Sequence, residues 1–213
     1  MAARFEDARN HILDCGQSII LRKGFAGTGL NEILGAADVP KGSFYHYFRS
    51  KEQFGCALFE RYVEATERGI TLVFAADGRT GRDRALAYLQ AWLGEVDGRC
   101  WADRCLMVKL AAEIADVSEA MRAILEAAID RRIGWLADVL DQGLADGSLP
   151  AGLPPRETAR MLHHIGLGAA MLNRLRDDRK ELDEALASMR RLLGGAPALA
   201  GHLAGATSSV PSP

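Results

Sequence analysis

The chain has 213 residues, enough for one large or two small domains with a real hydrophobic core. A hydrophobic share of 48% and a formal charge of −2 describe an ordinary globular chain and exclude a protein that coats nucleic acid through charge alone. Phe5 to Asn10 mixes charges where a leader would be apolar, and no run approaches a membrane span, so a cytoplasmic location with the four cysteines as thiols is expected.

In chain order, Phe5, Ala8, Ile12, Cys15 and Ile19 mark one face of a first helix. It should end near Lys23-Gly24, glycine being the usual residue just past a helix end. Cys15 lies within that apolar stripe and reads as a small core residue. Arg4 and Arg9 read more readily as a solvated face than as phosphate contacts. Next, Leu30, Ile33, Leu34 and Ala37 have the spacing of a short helix with one buried side, and Thr28 is expected to cap it. Val39-Pro40 ends that helix, because proline disfavours helical geometry in the residue before it, and opens another over Lys41 to Phe48.

In this second short helix Phe44 and Phe48 share the inward face. The other side carries Lys41, Gly42, Ser43, Tyr45, His46 and Tyr47, with Arg49 and Lys51 at its rim. Small residues, hydroxyls, an imidazole and rim cations suit base edges and phosphates. The alternative is a surface hairpin with a solvated aromatic face, but three successive exposed rings favour a partner. Lys51 begins a long helix and is a natural phosphate contact.

The stretch VPKGSFYHYFRSKEQF, Val39 to Phe54, resembles the DNA-binding signature of the TetR family of one-component transcriptional regulators. The resemblance implies a homodimer that binds double-stranded operator DNA, a helical effector domain behind the reader, and release when an effector arrives. Charge agrees: up to Phe54 there are seven Lys/Arg against six Asp/Glu, and beyond it nineteen against twenty-two. Positive character is thus local, as in a sequence-specific reader.

The long helix should run from Lys51 to about Thr71, with Phe54, Leu58 and Tyr62 inward; the resemblance makes it the link between reader and effector domain. A helix over Gly81 to Val96 follows, then Asp97-Gly98 as a turn. The segment CLMVKLAAEIADVSEAMR, Cys105 to Arg122, resembles the N-ethylmaleimide-responsive repressors within that family, with acrylate-responsive repressors more distant. The resemblance implies that Cys105 is an effector-sensing thiol. Cys105 falls near a helix start, with Asp103 as a plausible cap and Arg104 beside it, and both helix amides and a cation favour thiolate over thiol. A thiolate of this kind reacts with quinones, maleimides and conjugated aldehydes, or is oxidised. The opposing reading is a buried, inert cysteine.

In the same subgroup a lysine faces the sensing cysteine; aligned on LGAAMLNRL, this chain has Arg174 there. Arginine keeps the charge but is a poor nitrogen nucleophile, so reaction with electrophiles survives while a cysteine–nitrogen bond becomes doubtful. Cys100 and Cys105 allow a disulfide between them, but no histidine stands at ligand spacing and no metal or other cofactor is expected. Trp92, Trp101, Met107 and Trp135 are candidate cavity-lining residues, each with ordinary core packing as the rival role.

The longest helix should span Ser118 to Gly147, followed by helices over Pro155 to Arg176 and Arg179 to Leu193. In the last two, expected to form the dimer interface, Gly166, Gly168, Ala169 and Ala170 permit close approach, and Leu182, Leu186, Met189 and Leu193 form a stripe expected to be exposed in a monomer and buried in a dimer; packing within the subunit is the rival role, and both are expected to hold in part. His163 and His164 read as interface or core residues. The expected fold is all-α with about nine helices: a three-helix helix-turn-helix domain over residues 1–50, an effector-binding and dimerisation bundle over 51–196, and a flexible tail over 197–213. No phosphate-cradling loop, nucleophile elbow or paired acid and base appears. The function these features point to is a repressor released by an electrophile or oxidant at Cys105. The alternatives are a non-covalent effector and, from another class, a thiol-dependent helical enzyme or a scaffold.

Overall fold

The computed structural model describes residues 2–75, 77–95, 100–102, 105–176 and 178–194, with side chains from residue 7 onward. The side chains of Arg4 and Phe5, together with Val96, Asp97-Gly98, Asp103, Arg104 and the 197–213 tail, for which expectations were stated, lie outside what is described. Among the described residues the structure is all-α: α1 (Ala2–Lys23), α2 (Leu30–Ala37), α3 (Lys41–Tyr47), α4 (Lys51–Phe74), α5 (Gly81–Leu93), α6 (Leu106–Val117), α7 (Glu119–Ala145), α8 (Pro155–Arg176) and α9 (Lys180–Leu192).

The chain packs into two compact units that do not follow a boundary at residue 50. Of the described residues, the first holds those up to Glu64 together with Lys109–Ala128, and the second holds those of Ala65–Val108 and those from Ile129 to Gly194. Three helices, α4, α6 and α7, therefore contribute residues to both units.

In the first unit α1 ends at Gly24, whose φ of +84° is a conformation glycine adopts at little steric cost. Thr28 does not cap α2: its hydroxyl donates to Gly24 O at 2.6 Å, and Gly29 occupies the capping position without a side-chain bond. Burial explains the difference, since Thr28 is wholly enclosed and its hydroxyl must pair with the nearest carbonyl. At the other end of α2, Asp38 turns into the left-handed region (φ 50°) and Val39 N donates to Leu34 O at 3.1 Å, closing the helix before Pro40.

Phe44, Phe48 and Phe54 form a cluster with ring centroids 5.2 to 5.7 Å apart, which fixes α3 against the start of α4. Ser50 caps α4 by accepting from Gln53 N at 3.0 Å, while Gln53 Oε1 accepts from Arg49 N at 2.6 Å, a variant of the capping box.

The second unit is built on Tyr88, Leu89, Trp92 and Leu93 of α5, Leu136, Val139 and Leu140 of α7, Leu162 and Ala170 of α8, and the inner face of α9. Close helix contact replaces side-chain filling at Gly81, where an added Cβ would stand 2.5 Å from Gly143 Cα and 2.6 Å from Val139 O. Backbone cannot yield as a side-chain tip can. Gly81→Ala is therefore expected to destabilise the protein by ~1–3 kcal/mol and lower Tm by several degrees in a thermal melt. An unchanged Tm would contradict this packing.

Candidate functional site

Three regions follow from the residues singled out above. The first is α3. Phe44 is fully buried and holds the helix in place, while Lys41, Gly42, Tyr45 and His46 are exposed and Ser43 and Tyr47 are half-buried. Lys41 Nζ stands 6.0 Å from the Tyr45 ring centroid, and the His46 and Tyr47 rings pack edge-on at 5.3 Å. Six of the eight expected DNA-contact residues thus form one outward run. The other two do not join it. Thr28 is buried on Gly24. Lys51 donates to Phe25 O at 2.7 Å with its ammonium 4.6 Å from the Phe25 ring centroid, and desolvation holds its pKa below the usual lysine value against the opposing pull of Glu113. Arg9, expected on a solvated face, instead stacks 5.4 Å from the Phe48 ring centroid.

The turn between α1 and α2 is held by α6. The Glu113 carboxylate accepts from Phe25 N at 3.2 Å and from Ala26 N, and Lys109 Nζ donates to Arg22 O at 3.1 Å. Ser118 Oγ bonds Glu52 Oε1 at 2.6 Å. Periodicity placed none of these, because a carboxylate that meets amides 87 residues away has no local spacing.

The second region surrounds Cys105, which immediately precedes α6 and is only 5% exposed. Its amide donates to Ala102 O at 3.3 Å. Met107 is buried with its sulfur 3.6 Å from Arg132 Nη1. Burial pushes the Tyr88 phenol up to about 12, the Arg132 guanidinium acting against that and Cys105 adding to it. His163 stacks on Trp92 at 5.2 Å between centroids and is pushed down to about 4 by burial, with the charges of Arg132 and His164 contributing. Its Nε2 has no hydrogen-bond partner. Tyr88, Arg132 and His163 were not singled out for this site. The only sequence signal for them was an arginine at the helical spacing of Leu125, Ala128, Trp135 and Val139 in α7.

Arg174 is exposed in the last turn of α8, whereas the buried cation of this region is Arg132. Trp101 and Trp135 are half-buried at the margin of the core, Trp92 within it. All four cysteines are thiols. Cys100 Sγ faces the carbonyls of Trp92 and Leu93 at 3.3 and 3.5 Å. No set of three potential metal ligands converges among the described residues, and no described helix is long and apolar enough to cross a membrane.

The third region is α8, where one expectation is corrected. Gly166, Ala169, Ala170, Leu182, Leu186, Met189 and Leu193 are buried within the chain; Gly166 lies against the Trp92 ring. The stripe of α9 turns inward because α5 and α8 cover it. The exposed apolar face is instead Met161, Ile165, Met171, Leu172 and Leu175, the last 77% exposed.

Residues 12–55 match the model of bacterial regulatory proteins of the tetR family, and residues 81–189 match that of the tetracyclin repressor-like C-terminal domain. The chain is 37% identical to the HTH-type transcriptional repressor NemR of Escherichia coli K12 over 187 residues, 88% of this chain and 94% of the relative. The crystal structure of E. coli NemR in its reduced form superposes with a TM-score of 0.81 at 38% identity, over 90% of this chain and 98% of that one. A putative transcriptional regulator of the TetR/AcrR family gives 0.79 at 40% identity, over 88% and 99%.

His163 gives a pH prediction. Its pKa in the folded chain is depressed, so the stability tied to its neutral form is complete above about 6.5 and lost as pH falls toward 4. Urea midpoints are expected to drop by up to ~3 kcal/mol equivalent over that interval, and His163→Phe should flatten the part due to this ring. An identical pH profile in the variant would contradict it.

Proposed function

Because this chain belongs to the TetR family of bacterial regulatory proteins, we propose that it is a cytoplasmic, homodimeric repressor that binds operator DNA through α3 and leaves it when an electrophile reacts at Cys105. The observation that carries the reading is the course of α6. Cys105 immediately precedes this helix, and two turns on, Glu113 holds the amides of Phe25 and Ala26 in the turn that leads into the helix-turn-helix. An adduct on a buried sulfur needs room, and displacing the start of a stiff helix shifts its later turns. Loss of the Glu113 bonds would let the α1–α2 turn move and α3 with it.

The exposed face of α3 supports DNA contact: Lys41 for phosphate, Tyr45 and His46 for base edges or phosphate. Ser43, half-buried, and Gly42, beside which an added Cβ would meet nothing, keep the helix surface low for close approach to a groove. Homodimer formation is supported by the apolar face of α8. Met161, Ile165, Leu172 and Leu175 recur at helical spacing on one side, and such a self-complementary surface suits a two-fold pairing. The relatives are regulators by name, which gives the reading of a thiol-dependent enzyme no support. An enzyme would also turn over its electrophile, whereas a sensor consumes one equivalent per site.

A gel shift on the gene's own upstream DNA tests this reading. Stoichiometric N-ethylmaleimide should weaken binding of the wild type by ~5–150-fold, the usual span of allosteric coupling, and leave Cys105→Ser bound. Release of both proteins, or of neither, would remove Cys105 from the mechanism and favour a non-covalent effector.

A further inference from the structure

Lys51 opens α4, a place that suits a phosphate contact, but its ammonium is engaged by the protein itself. Nζ donates to Phe25 O at 2.7 Å and stands 4.6 Å from the centroid of the Phe25 ring, a charged hydrogen bond and a cation–π contact with one residue. Phe25 is 3% exposed, and its ring lies so close to α4 that a Cβ added at Gly55 would stand 2.7 Å from it. Burial lowers the pKa of Lys51 from the usual lysine value, with Glu113 acting against that. Lys41 of α3 is the contrast: it is exposed, with Nζ 6.0 Å from the Tyr45 ring centroid.

The same turn is gripped from α6. Lys109 Nζ donates to Arg22 O at 3.1 Å, and Glu113 accepts from Phe25 N at 3.2 Å and from Ala26 N. Lys109 and Glu113 are one helical turn apart and share a face. Three charged side chains thus hold residues 22–26 by their backbone. The carbonyl that Lys51 holds also accepts from Thr28 N at 3.3 Å, and the next residue, Gly29, accepts the first bonds of α2 from Glu32 N and Ile33 N at 3.1 and 3.3 Å. Lys51 therefore acts on the point from which α2 starts, and α2 leads through Pro40 into α3.

We propose that Lys51 is a positioning residue for operator binding, which holds the turn between α1 and α2 and stays on Phe25 when DNA is bound, touching no phosphate. This rests on the reading of α3 as the DNA contact and adds a residue that acts on α3 through the turn. To reach a phosphate, Lys51 would have to leave the carbonyl and the ring of Phe25 together. That carbonyl would keep the longer bond from Thr28 N, and α2 would lose an anchor at the moment α3 must fit the groove. Lys51 then contributes to affinity without contributing to the dependence on salt, because only a cation that neutralises a phosphate releases counterions.

The test measures binding of the full-length protein to the gene's own upstream DNA by fluorescence anisotropy, from about 50 to about 200 mM salt. Wild type is compared with Lys51→Met, Lys51→Gln and Lys41→Met, at a temperature where a thermal melt shows each protein folded, so that a general loss of stability leaves affinity unchanged. Lys51→Met should bind ~10-fold more weakly, the scale of losing one hydrogen bond to a charged group, with the salt slope of the wild type. Lys51→Gln keeps a neutral donor for Phe25 O and should recover affinity to within ~3-fold of wild type, a rescue that a lost phosphate contact would not allow. Lys41→Met should lower the slope by ~0.9. A slope lowered by ~0.9 in either Lys51 variant places Lys51 on a phosphate and overturns the proposal, as does wild-type affinity in Lys51→Met. If Lys51→Met does not fold, the slope of Lys51→Gln decides. Failure of the α3 reading looks different: Lys41→Met then keeps both the affinity and the slope of the wild type, and the positioning role falls with it.

Discussion

Two backbone amides in the turn after α1 depend on one carboxylate from a distant part of the chain. The helix ends at a glycine with positive φ, and the amides of Phe25 and Ala26 that follow are bonded by Glu113 of α6. An amide that loses its acceptor in a half-buried turn costs ~1–3 kcal/mol, and more where the acceptor is charged. The same carboxylate lies close to Lys51, whose ammonium closes on the carbonyl of Phe25. The geometry of the turn, and hence the placing of α2 and α3, is therefore set by side chains of α4 and α6. This explains why Lys109–Ala128 packs with the first 64 residues.

In the first unit Glu113 and Lys51 bond to backbone; in the second, Arg132 is buried with one guanidinium nitrogen 3.6 Å from the Met107 sulfur, and Cys105 is almost enclosed. Tyr88, Arg132 and His163 are kept away from water, and the pKa of His163 records the cost of that placement.

Much of this was legible in the sequence for a local reason. Helix existence follows from period and breaker residues: α1 ends, and α3 and α8 begin, within a residue of where Gly24, Pro40 and Pro155 put them. The outward run Lys41, Gly42, Ser43, Tyr45, His46 and Tyr47 is legible because Phe44 and Phe48 define the inner side. What was not legible is non-local. Thr28 looked like a helix cap until burial turned its hydroxyl to Gly24. The stripe on α9 looked unpartnered because an amphipathic pattern does not say which helix covers it, and α5 does so as well as α8. Lys51 looked like a phosphate contact because its bond to Phe25 spans 26 residues. Glu113 lay inside the Cys105–Arg122 segment with no role of its own marked there, and Arg132 lay outside both quoted motifs.

Hydrogen exchange at the Phe25 and Ala26 amides, followed with and without alkylation of Cys105, tests most directly whether the thiol acts through Glu113. If it does, both amides are slow in the unmodified protein and speed up on alkylation, and Glu113→Gln shows faster exchange before any reagent is added. If alkylation releases DNA while both amides keep their protection, the signal does not pass through this turn.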